Sequence, residues 1–76
     1  MAQPLDNALA ATVAADAVTA QANLLQTSQM HYSGAAAHNA AQAAWNCVGV
    51  MQKATYHATQ AAVHMSCAAS LKAAGR

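Results

Sequence analysis

Charge is scarce in this sequence. Only three Lys or Arg and two Asp or Glu occur in 76 residues, 7% of the chain. They are Asp6, Asp16, Lys53, Lys72 and Arg76, so no residue between Asp16 and Lys53 carries a full charge at neutral pH. Three basic residues give no electrostatic footprint for nucleic acid. Two acids ten positions apart do not make a paired-carboxylate site, so acid–base catalysis of that kind is excluded. Phenylalanine is absent and aromatics make up 4%, which leaves little to build a large core from. With three glycines, one proline and two cysteines, the chain has no phosphate-binding glycine loop, no CxxC and no HExxH. A Cys–His nucleophile would lack an orienting group and a substrate pocket. No enzymatic activity, cofactor or metal is therefore expected.

What the chain does have is alanine, about a third of all residues, within a hydrophobic fraction of 57%. Alanine has the best helix propensity, so an all-α fold is expected. Seventy-six residues make a single helical domain, 1–76. Alanine also buries little area, whereas ordering a residue costs roughly 1–2 kcal/mol. A surface this poor in charge gives up the usual protection against association. Self-association is the expected remedy.

The spacing predicts a two-helix hairpin: an irregular lead over 1–5, a short helix over about 6–31 capped by Asp6 or Asn7, a turn at 33–34, and a longer helix over about 35–74. Ser33-Gly34 supplies the break, since glycine accepts a helix-ending left-handed conformation and serine caps the next helix. The first helix steps 3–4 through Ala10, Val13, Ala17, Ala20, Leu24, Thr27 and His31. In the second, the same step gives a seam of small and medium residues. Its candidate assembly interface is Ala37, Ala41, Ala44, Val48, Met51, Ala58, Ala62 and Met65, with Trp45 filling gaps that alanine leaves. Such hairpins would pack side by side in an extended assembly. Gly49, inside the second helix, reads either as a point of close backbone approach or as a hinge candidate.

The four histidines fall in two pairs at heptad spacing, His31 with His38 and His57 with His64. Residues seven apart on one helix lie about 10 Å from each other, too far to share a metal without other helices. Histidine is the side chain that titrates between neutral and mildly acidic conditions, and full protonation would raise the formal charge of +1 by four. All four are candidates for a pH switch that biases a packed assembly toward another form. The plainer reading is neutral rings bonded to their neighbours.

Certain words in the sequence resemble a known family. Asp16-Ala17-Val18-Thr19, Gln26-Thr27, Asn39-Ala40 and Gln52-Lys53-Ala54-Thr55 are similar to segments of the small R-body (refractile body) structural proteins, the bacterial killing-trait family. Ala43-Ala44-Trp45 stands where that family tends to place glutamines. The resemblance implies a subunit of a cytoplasmic protein ribbon, rolled into a coil, that extends on acidification and can help disrupt membranes. Its partners would be copies of itself or related small subunits. The N-terminus shows neither a basic region nor an apolar run of a signal peptide, so a cytoplasmic location is expected. The alternative is a small membrane-active or membrane-embedded helical protein, holin-like or coat-like. Mean hydropathy of only +0.16 weighs against a resident span. A third reading is a closed soluble bundle holding a metal through His64 and Cys67.

Overall fold

The computed structural model describes residues 3–76, and every regular element in it is helical: α1 (Pro4–Leu25), α2 (Ser28–Val48) and α3 (Met51–Ala73). There are thus three helices among the described residues rather than the two of the expected hairpin. Two-residue connections make neighbours antiparallel, giving an up–down–up bundle with extents of 43 × 19 × 14 Å. α2 packs with its backbone close to both α1 and α3. No Cα of α1 comes within 8 Å of a Cα of α3, so those two meet through side chains alone.

The breaks fall elsewhere than at Ser33-Gly34. α1 begins at Pro4, whose missing N–H costs nothing in a first turn, and Asp6 lies in that turn at the positive end of the dipole. The lead therefore stops at Gln3, Met1 and Ala2 lying outside the described residues, and neither Asp6 nor Asn7 is the cap. Gln26 ends α1 in the left-handed region at φ 51°, and its N–H donates to the Ala22 carbonyl. Thr27 then caps α2, its hydroxyl oxygen accepting from the Met30 N–H at 3.2 Å. Gly49 closes α2 at φ 87°, and Val50 N–H reaches back to the Trp45 carbonyl. Gly49 is therefore a turn residue between two helices, not an interior position of one.

Ser33 and Gly34 lie inside α2, with Gly34 buried. A Cβ at Gly34 would stand 2.9 Å from the Cε1 and Nδ1 atoms of His64. This glycine serves close approach between α2 and α3.

The core is made of the smallest apolar residue. Ala8, Ala15 and Ala22 of α1, Ala35 and Ala41 of α2, and Ala54, Ala61 and Ala68 of α3 are buried, and Trp45 is the single large apolar side chain among them. Leu5, Leu9, Val13, Leu24, Met51, Val63 and Met65 face outward.

Candidate functional site

All four histidines lie in the middle of this bundle, each at most 3% exposed. The 3–4 step brings them there: His31, Gly34, His38, Ala41 and Trp45 follow one face of α2, and Ala54, His57, Ala61, His64 and Ala68 one face of α3. Because α2 and α3 run antiparallel, His31 pairs with His64, and His38 with His57. The rings meet Nδ1 to Nδ1, at 2.9 Å for His31–His64 and 2.8 Å for His38–His57. The ring centroids of His38 and His64 lie 5.4 Å apart at an interplanar angle of 22°, so the two pairs stack into one column.

α1 supplies the polar partners. Its alanines step by seven and leave Thr12 and Thr19 on the same inward side. The Thr19 hydroxyl lies 2.8 Å from His38 Nε2 and 3.0 Å from His64 Nε2, tying the pairs together. Thr12 sits 3.4 Å from His57 Nε2, donates its proton to the Ala8 carbonyl at 2.9 Å, and accepts from the Trp45 indole N–H at 2.8 Å. At the other end, His31 Nε2 faces the Gln26 side-chain oxygen at 3.2 Å, and the Gln26 amide donates to the Asn23 carbonyl at 2.9 Å. Among the described residues no buried side-chain nitrogen or oxygen lacks a partner. The result is one hydrogen-bonded chain from Gln26 to Thr12, about 21 Å along α1 at 1.5 Å per residue.

Burial pushes the His38, His57 and His64 imidazoles below their ordinary range, because a cation there would lose its water. Neighbouring His57 and His64 add to this at His38, while the Asp16 carboxylate opposes it. At His57 Asp16 again opposes and Lys53 adds. His31 adds to the lowering at His64. The column ends against an open cavity of about 340 Å³ lined by Thr12, Trp45, Lys53, Tyr56 and His57 among others. The Lys53 ammonium lies 5.1 Å from the Trp45 ring centroid on that side.

Compared with protein families, characterised proteins and solved structures, the chain matches none.

The expected assembly seam is divided by the fold. Ala41 and Trp45 are buried inside the bundle, and Ala37, Ala44, Val48 and Ala58 are half-buried. Met51, Ala62 and Met65 are exposed. On α3 the inward seam lies one position off the expected one, along Ala54, His57, Ala61, His64 and Ala68. Spacing alone did not single out Thr12 and Thr19. The signal was their 3–4 alternation with Ala8, Ala15 and Ala22, which repeats the alternation of alanine and histidine on the other helices. His64 and Cys67 lie one turn apart, and among the described residues no three His, Cys, Asp or Glu side chains are set to hold a metal ion.

Proposed function

We propose that the chain is a non-catalytic structural subunit that self-assembles into a ribbon- or filament-like polymer, R-body-like, whose form responds to acid through the histidine column. One observation carries this reading: the distribution of apolar residues is inverted. Large side chains lie outside, at 49% exposure for Leu5 and Leu9, 70% for Val13 and 82% for Leu24, whereas alanine and histidine fill the core. Leu5, Leu9, Val13 and Leu24 share one side of α1, and such a stripe on a chain nearly without charge calls for a partner surface.

A large apolar side chain is worth about 1.5–3 kcal/mol when fully buried, and these four are already partly covered. Paired with the same stripe of a second copy they give a gain of the same order as the roughly 4–15 kcal/mol that association costs. The stripe alone would close a pair, and exposed Met51, Val63 and Met65 on α3 supply the further apolar surface that a polymer needs. The likeness of Asp16–Thr19 and Gln52–Thr55 to R-body words supports the same reading, with copies of the chain or related small subunits as partners and the cytoplasm as the place of assembly.

A membrane-associated helical protein is the second reading, and α1 favours it. This helix of 22 residues is, among the described residues, the one long and apolar enough by length and composition to cross a membrane. Replacing Leu9, Val13 and Leu24 together with glutamine separates the two. In detergent-free buffer the wild type is expected to sediment as large assemblies, and the triple variant to remain helical but run as a small species. A wild type that stays in solution only with detergent would refute the polymer and favour the membrane.

A further inference from the structure

The histidine column has a proton inventory that can be counted. Six contacts link Thr12, His57, His38, Thr19, His64, His31 and Gln26 in series. Each is a hydrogen bond only if one proton lies between its two heavy atoms. Thr12 cannot supply one while its hydroxyl points at the Ala8 carbonyl, nor can the Gln26 oxygen while the Gln26 amide nitrogen donates to Asn23. Four neutral imidazoles and the Thr19 hydroxyl together contribute five protons. The six contacts need six.

From this shortfall we infer that the column is a binding site for a single extra proton, held in common by the four rings and relayed along them between the Gln26 end and the cavity at His57. With the proton bound, all six contacts are filled whichever of the four rings carries the charge. From the charged ring every donor points outward, toward Thr12 on one side and toward Gln26 on the other, and shifting one proton within each contact passes the charge to the next ring.

Removing the proton leaves a single arrangement. Five protons then satisfy the five contacts from Gln26 to His57 only if His31 and His38 carry hydrogen on Nε2 and His57 and His64 on Nδ1. His57 Nε2 becomes an acceptor, and the sixth contact closes only when the Thr12 hydroxyl swings from Ala8 to His57. The 3.4 Å spacing at that contact, the longest of the six, is where the chain opens or closes. A second extra proton would set two N–H groups face to face or leave Thr19 with no acceptor. Thr19 has the two rings as its only side-chain hydrogen-bond partners among the described residues. Uptake therefore stops at one.

The charges around the column suit one cation and no more. From α1, Asp16 favours positive charge at His38 and His57, while from α3 Lys53 opposes it at His57. The Tyr56 ring stands edge-on to His57 with centroids 5.1 Å apart. On α2 the other titratable side chains, Tyr32 and Cys47, are exposed. The inference goes beyond the proposed assembly and holds whether or not the bundle polymerises.

Nitrogen NMR of ¹⁵N-histidine-labelled protein, titrated from pH 8 downward while the fold persists, reads it directly. All four rings are expected to shift with one common midpoint as one proton is taken up. On the alkaline side hydrogen should lie on Nε2 of His31 and His38 and on Nδ1 of His57 and His64, and on the acid side the charge should be shared, so that no single ring carries a full imidazolium signature. Four separate midpoints, a fixed tautomer pattern, or uptake of two or more protons before unfolding would overturn the inference. Thr19→Val should split the response into two independent pairs, and Thr19→Ser should restore the single midpoint. If the valine variant does not fold, the wild-type tautomer pattern decides alone.

Discussion

At Gly34 a hydrogen stands where a methyl group would press on the His64 ring. That ring has little room to yield, because Nδ1 is bonded to His31 and Nε2 to Thr19. Gly34→Ala is therefore expected to destabilise the bundle by about 1–3 kcal/mol, the usual cost of overpacking, and urea unfolding measures it. Its circular dichroism should remain helical. Gly49 is glycine for a different reason. Nothing lies within 4 Å of a Cβ there, but its φ of 87° suits glycine and strains other residues. Gly49→Ala should cost about 1–2 kcal/mol through the backbone alone. The two substitutions lie far enough apart for their effects to add, which the double variant checks.

The helices show how far the sequence could be read and why it stopped. Helical character was legible throughout, because alanine dominates and the single proline stands at the start of α1. The positions of the breaks were not. Ser33-Gly34 has the composition of a turn, yet the connection forms at Gln26-Thr27, where an ordinary glutamine takes the left-handed conformation and a threonine caps the helix after it. Periodicity misled for a related reason. The period of a helix shows through contrast between large apolar and polar residues, and here the large ones lie outside while alanine appears on every side. Read by size, α3 gave a seam through Met51 and Met65; read by what buries, the seam is Ala54, His57, Ala61, His64 and Ala68. The heptad spacing of the histidines was visible from the start. Their convergence was not, since it depends on where the chain turns. Loss of the Thr27 cap should be felt at the element it begins: Thr27→Ala is expected to cost about 1 kcal/mol and to speed amide exchange in the first turn of α2.

For the whole molecule, the core sets the response to pH. His38, His57 and His64 are held below their ordinary range in the fold, so near and below pH 6.5 the unfolded chain binds more protons than the native one. The stability they contribute is complete above that value and is lost as the pH falls toward their lowered folded values. Thermal melts at pH 7.5, 6.5 and 5.5 should show the midpoint falling with acid. A variant with glutamine at all four positions should lose most of that slope. Beyond the one proton that the column is proposed to hold, a bundle so dependent on uncharged histidine has two responses to acid, unfolding or repacking against neighbours, and in the proposed assembly the second would be favoured. On that reading the outer leucines call for neighbours, and the histidines make the packing sensitive to protons.

The most direct test is negative-stain electron microscopy of the purified, detergent-free protein at pH 7 and at pH 5. Ordered ribbons, tubes or sheets whose dimensions change between the two conditions are the expected result. Small uniform particles at both pH values would contradict the account, leaving a bundle that carries its apolar stripe without assembling through it.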